Sequence, residues 1–141
     1  GEAPVGGTPT NGVHIVFATT AGSAPVDYQW NGTGWARSQA GTPHVDTQGA
    51  QIAPENVIVS YTPYADSDTN DQFGVPIREA QTVGEGEALV LTGGVAYTAR
   101  WVKPAVEMPT QYFDLAGSPI RLTPGRTWVA LPEPGTTVFL P

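Results

Sequence analysis

Glycine and proline interrupt this 141-residue chain so often that a long helix has no room to form. No window of a dozen residues keeps apolar side chains at helical spacing without one of these two residue types inside it. The 17 glycines and 14 prolines together exceed a fifth of the chain. Because both residue types favour turns and weaken helix interiors, the sequence predicts short strands joined by tight turns.

The segments between these turns have the patterns of β-strands. Apolar residues alternate along residues 13–19, and an Asn-Gly turn typical of a hairpin separates residues 26–30 from residues 35–38. The β-branched run at residues 56–61, NVIVSY, is typical of a strand buried on both faces, and we place it at the sheet centre. Residues 62–74 hold three aspartates and few apolar residues, so we expect an exposed, mobile loop there.

The rest of the chain also has short strand patterns separated by turns. We expect residues 76–84 and 87–94 to form two strands joined at a turn of residues 84–86, and residues 95–101 to return after the Gly-Gly turn. Four more short strands are predicted at residues 110–114, 119–122, 127–131 and 136–140.

The predicted fold is all-β, a single-domain antiparallel β-sandwich or partly open barrel with short strands and long loops. The sequence does not choose between sandwich and barrel. We expect one β domain over residues 13–141, preceded by residues 1–12, whose composition is typical of a flexible linker or an artificial remnant.

Charge and composition exclude several classes of function. Thirteen acidic residues against six basic ones give a formal net charge of −7, which argues against a nucleic-acid partner. The chain has no cysteine, and therefore neither a disulfide nor a thiolate metal site. No apolar run approaches the roughly 20 residues that span a bilayer.

One short segment carries candidate chemistry, GTPHVDTQG at residues 41–49. His44 and Asp46 lie two positions apart, which in an extended chain places both side chains on one side, where a carboxylate can orient an imidazole. The alternative is that Asp46 accepts backbone N–H groups of its own turn while His44 bonds a neighbouring carbonyl or carboxylate. A zinc site would need more ligands than this pair supplies, and no serine lies in a G-x-S-x-G motif.

Other residues suggest weaker alternatives. Asp66, Asp68 and Asp71 are calcium candidates in an oxygen-rich segment that lacks the EF-hand spacing, and we expect no metal or cofactor. Trp101 and Trp128 are flanked by apolar or β-branched residues and are predicted to lie in the core. The remaining aromatic residues could line a groove for a sugar or peptide, although Trp30 and Trp35 are explained by pairing across their hairpin.

A series of short motifs resembles the C-terminal domain of YerB-type bacterial lipoproteins. In chain order the motifs are W-A-R, G-T-P-H-V-D, I-A-P-E-N-V-I-V, V-G-E-G-E-A, A-R-W, Y-F-D-L-A-G and L-T-P-G-R-T-W-V. The matching positions are Arg37, Gly41, His44, Asp46, Asn56, Trp101, Gly117, Pro124, Gly125, Thr127 and Trp128. The resemblance implies an extracytoplasmic setting, another domain before this one, and a membrane connection only through a lipid anchor outside this chain. It supplies no catalytic residue.

Three hypotheses of function follow. The first is a non-enzymatic module of a cell-envelope lipoprotein that binds an envelope polymer or a protein partner through Arg37, His44 and Asp46, with Arg37 hydrogen-bonded to Asp46. The second is a cell-wall hydrolase or transferase with His44 as general base and Asp46 orienting it. The third is a structural domain that packs on its own N-terminal domain, with an exposed apolar patch as its sign.

Overall fold

The computed structural model describes residues 7–16, 25–70, 72–74, 76–132 and 137–140 of the chain. Within these ranges all regular secondary structure is β-strand. The strands are β1 (Gly7–Pro9), β2 (Gly12–Ile15), β3 (Val26–Trp30), β4 (Trp35–Gln39), β5 (Thr42–Pro43), β6 (Asn56–Ser60), β7 (Tyr64–Asn70), β8 (Pro76–Ala80), β9 (Gly84–Thr92), β10 (Val95–Lys103), β11 (Gln111–Phe113), β12 (Thr127–Ala130) and β13 (Thr137–Phe139).

These strands form two main sheets. The larger sheet has the order β1, β10, β9, β6, β12, and β11 also pairs with β10. Its pairs are antiparallel except β6 with β12, which are parallel and place Trp128 beside Val57. The smaller sheet has the order β13, β2, β3, β4, β5 and is antiparallel throughout. The all-β prediction is confirmed, and of its two alternatives the sandwich is the one observed, because the sheets do not close into a barrel.

One core lies between the two sheets, because alternate residues of each strand point inward. Its buried members are Val13, Ile15, Val26, Tyr28, Trp35, Val57, Val59, Leu89, Leu91, Ala96 and Ala130. A fully buried valine or isoleucine contributes about 1.5–3 kcal/mol to stability. A second cluster covers the outer face of the larger sheet and contains Ile58, Ala88, Val90, Ala99 and Trp101.

Strand β6 contributes to both clusters, which confirms that NVIVSY is buried on both faces. Val57 and Val59 face the core between the sheets, and Ile58 faces the outer cluster. The strand lies inside the larger sheet between β9 and β12, although the central strand in the sheet order is β9.

A glycine fixes the start of β2. Gly12 has a φ of 138°, and a Cβ added there would lie 1.9 Å from the backbone oxygen of Tyr28. Any other residue would collide with β3, so this position requires glycine for close backbone approach. The side chains of Val13 and Ile15 then enter the core with no exposed surface.

Several local predictions are wrong. Residues 62–74 are not a loop, because Tyr64–Asn70 forms β7 and pairs with β8 in a separate two-stranded sheet. The backbone pairing of β7 with β8 provides order that polar composition alone does not reveal. The turn expected at residues 84–86 is also absent, because β9 already begins at Gly84 and pairs with β10, whereas β8 pairs with β7.

Residues 7–12 of the segment interpreted as a linker contribute to the sheets. Strand β1 adds to the edge of β10, with Gly7 opposite Tyr97, and β2 begins at Gly12. A free sheet edge supplies hydrogen-bond partners to any adjacent extended chain, so pairing overrides a composition typical of linkers. Of the strand predicted at residues 13–19, positions 17–19 lie outside the described residues, and the observed strand ends at Ile15.

None of the described residues belongs to a helix that is long and apolar enough to cross a membrane.

Candidate functional site

The segment around His44 is held against β4 by backbone hydrogen bonds. Ala40 and Gly41, with φ angles of 51° and 80°, form the two-residue turn between β4 and β5. After this turn His44 N donates to Arg37 O at 2.9 Å, and Ile52 N donates to His44 O at 2.7 Å. Arg37 N in turn donates to Ile52 O at 2.8 Å. These bonds give the backbone of His44 a defined position beside Arg37.

Asp46 organises its own turn. Its Oδ1 accepts the backbone N–H groups of Gln48 at 2.8 Å and Ala50 at 3.1 Å, and Asp46 N donates to Ala50 O at 2.8 Å. The part of the sequence-based alternative that concerns Asp46 is therefore confirmed, whereas the His44 ring, expected to bond a carbonyl or carboxylate, contacts Arg37. The expected hydrogen bond between Asp46 and Arg37 does not form among the described residues, because the carboxylate is engaged by the turn.

Arg37 instead contacts His44. Its Nη1 lies 2.7 Å from His44 Nδ1 and 3.5 Å from Gln39 Oε1, and its Nε donates to Tyr28 Oη at 3.3 Å. Arg37 and Tyr28 are register partners on β4 and β3, and Tyr28 faces the core. The guanidinium is therefore on the inward face of the smaller sheet, near its β4–β5 edge.

Two aromatic rings flank the guanidinium. Arg37 Cζ lies 5.9 Å from the centroid of the Tyr28 ring and 5.4 Å from that of the Trp128 ring, both within cation–π range. The His44 ring meets Trp128 edge-on at 5.9 Å. We call these residues the Arg37 cluster, which comprises Tyr28, Arg37, Gln39, His44 and Trp128. It lies where the β12 edge of the larger sheet meets the β4–β5 edge of the smaller one.

The Arg37 contact determines which nitrogen of His44 carries the proton. An arginine is always charged and has only donors, so Nδ1 must accept with its lone pair. The proton of the neutral ring is then on Nε2. In this state His44 accepts from Arg37 through Nδ1 and has a donor on Nε2, and no described carboxylate bonds the ring to orient it as a general base.

The second histidine forms a pair that sequence reasoning missed. His14 and Asp27 are register partners on β2 and β3, and Nδ1 of His14 lies 2.5 Å from Oδ1 of Asp27, with both side chains about a third exposed. Ser38 is the next register partner of Asp27. The aspartate thus lies between serine and histidine in this row, whereas a catalytic triad needs the histidine between the other two. Alternation along β2 could have placed His14 outward, but only the register identifies Asp27.

Cavities lined by described residues also lie away from the Arg37 cluster. One of about 450 Å³ is lined by hydroxyl residues that include Ser60, Thr62 and Tyr112. Burial raises the pKa of Tyr112 above its ordinary value, and a hydrogen bond with Ser60 partly offsets this effect. A larger groove of about 670 Å³ runs beside Trp30, Phe139 and the β1 region.

The structure brings only some of the predicted site residues together. Arg37 and His44 are in direct contact, while Asp46 is exposed and belongs to the adjacent turn. The prediction that Trp128 is a core residue is wrong: it points between the sheets but sits on an edge strand and stays partly exposed. Trp101 is 2% exposed, as predicted for the core.

The metal candidates receive no further support. Asp71 and the side chains of Asp66 and Asp68 lie outside the described residues. Among the residues that are described, no group of three or more histidine and acidic side chains could hold a metal ion.

The fold and this cluster define a class of protein: a two-sheet β-sandwich domain with an arginine held between aromatic rings at one open edge. The chain belongs to the family described as "Protein of unknown function (DUF3048) C-terminal domain", whose sequence model matches residues 13–129.

A solved structure shares this fold. The chain is similar to the YerB protein from Bacillus subtilis, with 19% identity and a TM-score of 0.78. The match covers 95% of this chain and 45% of the YerB chain, so this chain spans less than half of that protein. The likeness confirms the fold of a YerB-type C-terminal domain. No curated protein matches the chain.

Proposed function

We propose that this domain is a non-catalytic, extracytoplasmic module of a cell-envelope lipoprotein and that it binds an envelope polymer or protein partner through the Arg37 cluster. The observation that carries the proposal is a partly exposed arginine held between two rings and bonded only to neutral acceptors among the described residues. Such a group is positioned before any ligand arrives, which lowers the entropy lost on binding. The envelope setting is proposed from the resemblance to YerB-type lipoproteins.

The geometry favours binding over hydrolysis. A hydrolase that used His44 would need Nε2 free to accept a proton, and the contact with Arg37 leaves that nitrogen protonated. Asp46, the expected orienting group, is bonded to Gln48 and Ala50 instead.

The test is sedimentation of the purified domain with insoluble bacterial cell-wall material. Arg37→Ala and His44→Ala should each weaken binding about tenfold, because one removes the charge and the other removes its acceptor. Arg100→Ala is the matched control, since it removes an exposed arginine that pairs with Glu85 outside the cluster. Binding that is the same in all four proteins would exclude the cluster as the wall-binding surface.

A second candidate function has one supporting observation. Val138 and Phe139 on edge strand β13 are 64% and 53% exposed, and Phe139 borders the 670 Å³ groove. These residues fit the hypothesis that the domain packs on a preceding domain, such as the part of a YerB-type chain outside the match. Phe139→Asp should then lower the melting temperature of a chain that includes the preceding domain more than that of this domain alone. Equal shifts would contradict the packing.

A further inference from the structure

Arg37 has hydrogen-bonding capacity that the protein leaves unused. A guanidinium carries five N–H groups, one on Nε and two on each terminal nitrogen. Nε–H is directed at Tyr28, and the two Nη1–H groups serve His44 and Gln39. In the part of the chain that the structure describes, Nη2 has no hydrogen-bond acceptor and keeps both donors.

The charge of Arg37 is likewise uncompensated by any described residue. Its three acceptors are a phenol, a neutral imidazole nitrogen and an amide, whereas Arg100 pairs with Glu85 and Arg126 with Glu55. A partly buried cation normally has an anionic partner. This exception occurs in a chain with 13 acidic and only six basic residues, where carboxylates are not scarce.

The surroundings of Arg37 strengthen an interaction with an anion. The rings of Tyr28 and Trp128 lie 5.9 and 5.4 Å from its central carbon and exclude water from part of its surface. Electrostatic attraction grows as the local dielectric falls. The contact with His44 holds the guanidinium in place, so little freedom remains to be lost when a ligand binds.

We infer that Nη2 of Arg37 binds one carboxylate group of the ligand, an inference that rests on the proposed binding function. A monoanion matches the single positive charge of the cluster. A phosphate dianion would bring a second negative charge to a protein whose net charge is already −7. Sugar acids and peptide C-termini share this carboxylate chemistry.

The experiment is an NMR titration of the ¹⁵N-labelled domain that follows the Arg37 side-chain N–H and Trp128 indole signals at constant ionic strength. N-acetylalanine represents the peptide source and glucuronic acid the sugar source, and each is compared with its uncharged amide. We expect at least one acid to shift both signals in a saturable manner and to bind about tenfold more tightly than its amide. The stronger acid identifies the source.

Three results would overturn the inference. They are equal binding of each acid and its amide, no saturable shift with either acid, and binding of inorganic phosphate as tight as that of the acids. The comparison of acid with amide uses the unaltered protein, so it stands whether or not a variant folds.

Variants then assign the effect to the guanidinium. Arg37→Gln should abolish the saturable shift of the Trp128 signal, and Arg37→Lys should weaken binding because an ammonium lacks the planar donor geometry. Arg100→Gln removes the same charge elsewhere and should leave the affinity unchanged. Retained affinity in Arg37→Gln would refute the assignment.

Failure of this inference is distinguishable from failure of the proposed function. Cell-wall binding that is lost in Arg37→Ala, together with identical acid and amide titrations, would exclude carboxylate recognition and leave the binding function intact. Cell-wall binding that does not depend on Arg37 would remove both.

Discussion

Asn56 ties the start of β6 to the loop before β12. Its side-chain nitrogen donates to Thr123 O at 2.7 Å and to Thr127 Oγ1 at 3.2 Å, and its oxygen accepts Thr123 N at 2.9 Å. The residue itself has no exposed surface, so its loss would remove hydrogen bonds made by a fully buried side chain. Asn56 thereby fixes the parallel β6–β12 pair, which carries Trp128 to the Arg37 cluster.

Asn56→Ala should lower the free energy of unfolding by about 2 kcal/mol, because it removes the hydrogen bonds that a buried side chain makes to the loop before β12. Urea unfolding measures the change. Gln51→Ala removes an amide that bonds Arg37 O from an exposed position and should cost less than half as much. Equal losses in the two variants would show that Asn56 does not hold the loop.

Tyr112 makes the stability of the domain depend on pH in the alkaline range. Burial raises the pKa of its phenol in the folded protein, so above about pH 10 the unfolded chain loses this proton first. The contribution of Tyr112 to stability is fully present at pH values below the pKa of the unfolded chain. It is lost as the pH rises through the pKa of the folded protein. Tyr112→Phe should therefore be less stable than the parent at pH 7, where it lacks the Ser60 bond, and the gap should narrow above pH 10. Chemical denaturation across this range would contradict the account if the gap stayed constant.

At the scale of elements, the β4–β5 turn controls where His44 lies. Ala40 adopts a φ of 51° there, a left-handed conformation that costs an alanine about 1 kcal/mol. Asparagine tolerates this conformation better and is common in two-residue hairpin turns.

Ala40→Asn should raise the free energy of unfolding by about 1 kcal/mol without altering the Arg37–His44 contact. Thermal unfolding measures the gain. Gly41→Ala, the opposite change at the neighbouring position with a φ of 80°, should be destabilising. A destabilised Ala40→Asn protein would mean that the turn has another conformation.

The strands that were predicted correctly are those whose own residues encode their environment. Alternation at Val13 and Ile15, the Asn-Gly hairpin of Trp30 and Trp35, and the β-branched run of β6 all give the observed elements. Strand β7 was not predicted, because its polar sequence is ordered by pairing with β8. The two strands are neighbours in the chain, but the polar residues of β7 show no alternation of apolar side chains that would reveal the pairing.

The candidate site was predictable only where its residues lie close together in the sequence. The short turn after β4 brings the following segment back beside Arg37. The sequence could therefore suggest that His44 lies near Arg37. The acceptor was predicted as Asp46 and is His44, because Asp46 can bond the backbone of its own turn at lower entropic cost. Trp128 reaches the cluster only through the parallel β6–β12 pair, which no local pattern encodes.

At the scale of the whole molecule, the two main sheets share one core and should unfold together. The core joins β2, β3 and β4 to β6, β9, β10 and β12, while β7 and β8 pair only with each other in the described sheets. Amide hydrogen exchange should be slowest in β6 and β9, at the global free energy of unfolding, and faster in β7 and β8 through local opening. Equal protection in all four strands would show that the two-stranded sheet is part of the same cooperative unit.

The proposed binding site requires His44 as an acceptor for Arg37 in place of a base oriented by Asp46. Long-range ¹H–¹⁵N NMR of the histidine rings at neutral pH reports which ring nitrogen carries the proton. We predict an unprotonated Nδ1 and a protonated Nε2 for His44, with Arg37→Gln shifting the Nδ1 resonance. A proton on Nδ1, with Nε2 free, would contradict the Arg37 contact and restore the catalytic interpretation of His44.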